Sequence, residues 1–170
     1  AASTRADRYD ALLAGLGTLA GPLQDSASQL VLELLLRADR DGAGAALDHA
    51  LRWQGLVPGF GHGAYPQGDP RHTALLDAVL AFADEDRRTT VTDVLALAGD
   101  ADLPAPNVDL ALGALAYCAD MAPDVLPLLF AVSRCPGWVA HYLEELDEAP
   151  LRFRARAVHV TSSGEPDRGD

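Results

Sequence analysis

Pro58-Gly59-Phe60-Gly61-His62-Gly63-Ala64-Tyr65-Pro66-Gln67-Gly68-Asp69-Pro70-Arg71 runs through the one long stretch of this 170-residue chain, Leu56 to Gly68, that resists a periodic reading. Its glycines and prolines make it a loop. Asp69-Pro70 then opens a helix, because Asp caps free N–H groups and Pro suits a first helical turn. Leu75, Leu76, Val79, Leu80 and Phe82 give that helix its buried stripe. Outward in both directions the spacing of apolar residues stays helical. Upstream, Arg5 to Leu19 reads as a helix ended by Gly21-Pro22, and Ser26-x-x-Gln29 has capping-box form for a second helix to about Ala38. Asp41 to Gln54 gives a third, with Gly55 just past its end.

Downstream, Asp84 to Arg88 reads as a solvated helix end or linker, followed by a fifth helix from about Thr90 to Leu97. Gly99 to Asn107 is loop. A sixth helix covers Val108 to Ala119, and a long helical region covers Pro123 to Glu145. Pro127 falls in its first turn, whereas Pro136 is interior and should bend or break the helix near Arg134. Leu151 to Val160 alternates apolar and polar residues, which predicts a short extended segment, and residues 161–170 read as a frayed tail. The fold class is all-α with one extended piece near the end.

Composition narrows the function. Hydrophobic residues make up 49% of the chain, enough for a real core. The formal net charge is -12 and every basic residue is Arg. Nucleic acid demands a positive footprint that this chain lacks, whereas two or three converging arginines suffice for a small carboxylate. The longest apolar run, Leu30 to Leu36, is interrupted by Glu33 and is too short for a bilayer. Arg5, Asp7, Arg8 and Asp10 argue against a secretory segment in Ala1 to Leu19. The expectation is a soluble cytoplasmic protein with no nucleic-acid or membrane partner. Cys118 and Cys135 show no metal-like spacing and read as two buried free thiols, with no metal site.

Several segments stand out in order. Leu19-Ala20-Gly21-Pro22-Leu23 comes first, then Pro58-Gly59-Phe60-Gly61-His62 with Asp69-Pro70-Arg71 behind it. Pro106-Asn107-Val108-Asp109 follows. Phe130-Ala131-Val132-Ser133-Arg134 with Gly137-Trp138-Val139-Ala140-His141, and last Phe153-Arg154-Ala155-Arg156-Ala157, complete the series. Together they resemble the signature stretches of the citrate synthase family, in family order, across residues 10 to 160. The resemblance is to the carboxy-terminal half of that helical fold. It implies a large-domain helix over 1–24, a small domain over 25–125, a carboxy-terminal helix and extended segment of the large domain over 126–160, and a flexible tail over 161–170.

The implied activity is a Claisen-type condensation of an acyl-CoA, such as acetyl-CoA, with a 2-oxo acid such as oxaloacetate. Acyl-CoA is then a substrate, and no cofactor is tightly bound. A thioester α-proton has a pKa on the order of 20 against about 4 for a carboxylate, a gap of roughly 16 units or about 22 kcal/mol. A base alone cannot span that gap, so a donor must meet the oxygen on which charge develops. By resemblance Asp109 would be the base and His62 would polarise the keto carbonyl. Arg71, Arg134 and Arg154 would grip carboxylates, the last of them from a neighbouring subunit. From the residues alone each has a plainer reading. His62 sits in a glycine-rich loop, Asp109 at a helix start where an N-cap is the default, and Arg134 near a predicted break where it could cap carbonyls. Arg154 could simply face water, and His141 reads as structural. Arg71 in a first turn opposes the helix dipole, which favours a functional reason.

Two positions depart from the family pattern. Gln24 stands where the family has its first catalytic histidine. An amide N–H still donates a hydrogen bond but cannot move a proton. Pro66 stands where a basic residue usually meets CoA phosphates. Members of the family are also considerably longer. The resemblance therefore implies that the rest of the large domain comes from a second polypeptide or from a longer product of which this chain is a part, with dimerisation of the whole. The competing reading is a catalytically degenerate relative kept for binding or regulation.

Overall fold

The computed structural model describes residues 1–19 and 27–153. Among them lie seven α-helices and no strand, so the all-α class holds. The chain divides into two compact units, Ala1–Leu19 with Arg134–Asp170, and Ala20–Ser133.

The second unit contains α2 (Ala27–Asp41), α3 (Ala43–Gln54), α4 (Pro70–Phe82), α5 (Glu85–Asp100) and α6 (Val108–Cys118). The most apolar of these, α6, is wrapped by its neighbours. Leu110, Ala111, Ala114, Ala116, Tyr117 and Cys118 are all buried on it. Its main partners are α2 and α4, which bring Val31, Leu35, Leu76 and Val79 to the same core. Two glycines set how closely these parts approach. A Cβ on Gly113 would run into Val31 and come within 3.0 Å of the Ser28 carbonyl oxygen. Gly59 has φ +86°, and a Cβ there would lie 2.7 Å from Val31 Cγ2 and 3.0 Å from Leu110 Cβ. The loop that carries the quoted motif is thus pressed directly onto the α2–α6 crossing.

The helix ends sharpen the sequence reading. Asp69 caps α4 with Pro70 in its first turn, and Gly55 ends α3, both as expected. The run Asp84 to Arg88 is not a solvated linker. Asp84 accepts from the Arg87 N–H, Glu85 and Asp86 occupy the first turn, and the helix starts there. The two arginines then cap other helices. Arg87 Nη1 donates to the carbonyls of Tyr117 (2.6 Å) and Cys118 (3.2 Å) at the end of α6. Arg88 donates to Leu80 (3.1 Å) and Ala83 (2.8 Å) at the end of α4. Cys118 is buried and Cys135 only half-buried, and neither is joined in a disulfide.

The other unit holds a 3-10 turn (Ala2–Thr4), α1 (Arg8–Leu19) and the later part of α7 (Val125–Leu146). Its first helix starts later than Arg5 because Arg5 has another task. With φ 61° it leaves the helical region, and its guanidinium donates to the carbonyls of Leu146 (2.5 Å) and Glu148 (2.7 Å), capping α7. Trp138 lies over Gly15, where a Cβ would be 3.0 Å from the indole. No residue of α1 is fully buried. Helix α7 continues through Pro136 instead of ending near Arg134, since proline deletes one N–H and the ladder on both sides of it is kept. Leu151–Phe153 form a turn; the rest of the predicted extended segment, with Ser26 and Arg154, lies outside the described residues.

Candidate active site

The loop of Phe60 and the start of α6 are joined by backbone. Phe60 and Pro106 form an isolated antiparallel bridge. The Gly61 N–H donates to the Ala105 carbonyl at 2.8 Å, and the Asn107 N–H to the Gly59 carbonyl at 2.9 Å. Asn107 is 7% exposed and finishes the join with its side chain. Its Nδ2 donates to the Gly61 carbonyl at 2.7 Å, and its Oδ1 accepts the Asp109 N–H at 2.9 Å. Asn107, not Asp109, is therefore the N-cap of α6. The Asp109 side chain is free of capping duty, at the positive end of a buried helix.

His62 follows directly after this join on the loop side. The Ala64 N–H donates to His62 Nδ1 at 3.1 Å, so the ring proton belongs on Nε2. Nε2 lies 3.4 Å from Arg71 Nη2. Two donors this close can both point at one acceptor oxygen lying beside the pair, such as that of a carbonyl or carboxylate. Tyr65 supports both groups: its ring centroid is 5.0 Å from that of His62 and 5.3 Å from the Arg71 guanidinium carbon.

Electrostatics separate the two carboxylates. The Arg71 side-chain bonds, with backbone N–H groups of Arg71 and Val108, hold Asp69 well below the usual carboxylate range despite its burial. Burial pushes Asp109 up, and the nearby Arg71 and His62 charges only temper the rise. One carboxylate is locked as an anion, and the other is a stronger base than an exposed Asp. A half-buried carboxylate beside two converging donors can take a proton from carbon while the donors meet the electrophile.

The structure thus brings together three of the six candidates, His62, Arg71 and Asp109. Arg134 lies on α7 in the other unit, with its guanidinium over Gly137: a Cβ there would be 2.5 Å from Nη1. Gln24 and Arg154 lie outside the described residues. Tyr65 and Asn107 were given no role in the sequence reading, and Asp69 only that of a cap. Asn107 sits two residues before Asp109 and Asp69 two before Arg71, and that spacing was the available signal. Among the described residues no cluster of metal ligands occurs, and no helix is long and apolar enough to cross a membrane.

Residues 1–156 match the family model for the citrate synthase carboxy-terminal domain. The chain belongs to the citrate synthase family. It is 30% identical over 154 residues to 2-methylcitrate synthase 2 of Corynebacterium glutamicum, covering 88% of this chain and 40% of that protein. The fold is shared with citryl-CoA lyase from Hydrogenobacter thermophilus, at TM-score 0.74 and 28% identity, over 99% of this chain and 68% of that one. It is shared too with Thermoplasma acidophilum citrate synthase in ternary complex with carboxymethyl coenzyme A and oxaloacetate. There the TM-score is 0.70 at 26% identity, over 94% of this chain and 45% of that one. The chain spans about 40% of the length of the first curated citrate synthase family relatives it matches.

Proposed function

We infer that this chain supplies the acid–base and oxo-acid-binding half of a citrate-synthase-like active site, which joins an acyl-CoA to a 2-oxo acid. The observation that carries this reading is the convergence of His62 Nε2 and Arg71 Nη2, 3.4 Å apart, on a loop and a helix start that are each hydrogen-bonded to the start of Asp109's helix. In the reaction Asp109 takes the α-proton of the acyl thioester. His62 polarises the keto carbonyl, and Arg71 holds a carboxylate of the same molecule. Arg134 and Arg154 serve as further carboxylate ligands, and Gln24 donates its amide N–H to the enol oxygen. Loss of an optimised donor at such a place costs about 2.7–4 kcal/mol, and an amide recovers part of it. Acyl-CoA comes and goes as substrate, with no resident cofactor.

Residues 25–125 form the small domain in this reading. The segments on either side belong to a large domain, completed by a second polypeptide carrying the amino-terminal half, in a cytoplasmic dimer. The absence of any fully buried residue on α1 supports such a cover. A second reading, cleavage of the carbon–carbon bond of a citryl-CoA-type substrate into an acyl-CoA and a 2-oxo acid, is favoured by the likeness to the lyase, which extends over 68% of that chain. The same groups run in reverse would carry it out.

The test is release of free thiol from acetyl-CoA with oxaloacetate, run beside the reverse cleavage, on the purified protein with whatever subunit accompanies it. Asp109→Asn should abolish the active direction. No turnover in either direction, with no effect of Asp109→Asn, would leave the degenerate binding protein as the answer.

A further inference from the structure

We propose that Asp69 is a positioning residue, which fixes Arg71 in the orientation that meets substrate and ties that orientation to the helix bearing Asp109. It has this role on the reading that Arg71 grips a 2-oxo acid. An ordinary helix cap needs one acceptor, and a neutral Ser or Asn provides it. Asp69 is instead an ionised carboxylate whose side chain has no exposure, against 50% for that of Arg71. Burying a charge is costly unless its lone pairs are filled. Here four N–H groups fill them. Oδ1 accepts from the Arg71 backbone N–H (3.0 Å) and Nε (2.9 Å). Oδ2 accepts from Arg71 Nη2 (2.8 Å) and from the Val108 N–H (3.0 Å).

The geometry of this set has two consequences. The fork to Nε and Nη2 fixes the plane of the guanidinium, which an amide or hydroxyl cannot do. The fork leaves Nη1 out of the Asp69 bonds and Nη2 lies 3.4 Å from His62 Nε2, so the edge turned away from Asp69 is the one that can meet a ligand. The bond to Val108 pins the residue next to Asp109, so one buried carboxylate sets the spacing between the arginine and the base. A cap that served α4 alone would have no bond to α6.

Calorimetric titration of oxaloacetate into wild type, Asp69→Asn, Arg71→Ala and the double variant tests the role. Asp69→Asn should weaken binding about 100-fold, as a misplaced contact does. The double variant should bind no more weakly than Arg71→Ala alone. Wild-type binding by Asp69→Asn, or a loss that adds in full to that of Arg71→Ala, would overturn the proposal. Should Asp69→Asn not fold, Arg71→Lys replaces it, because lysine keeps the charge without the fork. It should lose as much as Arg71→Ala, and wild-type binding would again overturn the role. If wild type binds no oxaloacetate, the functional reading fails by itself, and the Arg71 Nε–H proton signal then decides. Slow exchange lost in Asp69→Asn supports the positioning role; exchange unchanged by the substitution rejects it.

Discussion

Asp109 is held at a cost that its neighbours only partly repay. Burial raises its pKa more than Arg71 and His62 lower it. A carboxyl whose folded pKa lies above the unfolded value of about 3.9 favours the fold below that pH, and this contribution is lost as pH rises through the folded pKa. At neutral pH the ionised side chain therefore weakens the fold it serves. Asp109→Asn should melt higher than wild type at pH 7, by roughly 2–4 °C if about 1 kcal/mol is recovered. The difference should shrink towards zero below pH 4. Scanning calorimetry across that range measures it, and a variant that melts lower at pH 7 would contradict the reading. The residue types of this site could be read in the sequence, because a family motif quotes them. Their duties came only by resemblance, and the residues alone left each a plainer reading. Asp109 looked like a cap because it stands at a helix start, and only the bonds of Asn107 show which of the two does the capping.

At the scale of elements, the helices were legible because apolar periodicity reports burial directly. Val31, Leu35, Leu76, Val79 and Leu110 all lie in the core that this pattern predicts. What escaped were contacts made by long polar side chains across sequence. Arg5 looked like part of its own helix yet caps α7, and Arg87 and Arg88 looked solvated yet cap α6 and α4. Helical glycines pose the same problem, since composition alone marks each one as a weakness. Gly113 and Gly99 separate two cases. Ala in place of Gly gains about 0.8–1 kcal/mol of helix propensity. At Gly113 that gain meets a Cβ forced against Val31 and the Ser28 carbonyl, and overpacking costs about 1–3 kcal/mol. Gly113→Ala should therefore destabilise, by up to about 2 kcal/mol, whereas Gly99→Ala, with nothing within 4 Å of its Cβ, should stabilise by about 0.5–1 kcal/mol. Urea melts of the two variants read out the opposite signs, and equal signs would refute the crossing geometry.

For the whole molecule, acid stability depends on which buried groups must change charge. His72 is 7% exposed in the first turn of α4, its Nε2 has no hydrogen-bond partner, and burial lowers its pKa. The unfolded chain takes up a proton near pH 6.5, where the folded chain resists it. Stability is then full above about pH 6.5 and falls as pH drops towards the lower folded pKa, by at most about 1.4 kcal/mol per unit. The acidic groups facing His72 pull weakly the other way, since Asp69 and Asp77 both favour its charged form. Asp69 acts in a separate window. Its depressed pKa stabilises the fold above about pH 4, and that contribution is lost only as pH falls further. Asp109 opposes His72, because its raised pKa makes acidification favourable near its own titration. Thermal melts from pH 7.5 to 5 should therefore decline in wild type. In His72→Leu, which removes both the titration and the orphaned nitrogen, the decline should vanish, and the variant should melt above wild type at pH 5.5. A wild-type curve that is flat over this range, or a slope kept by His72→Leu, would assign the acid response to another group.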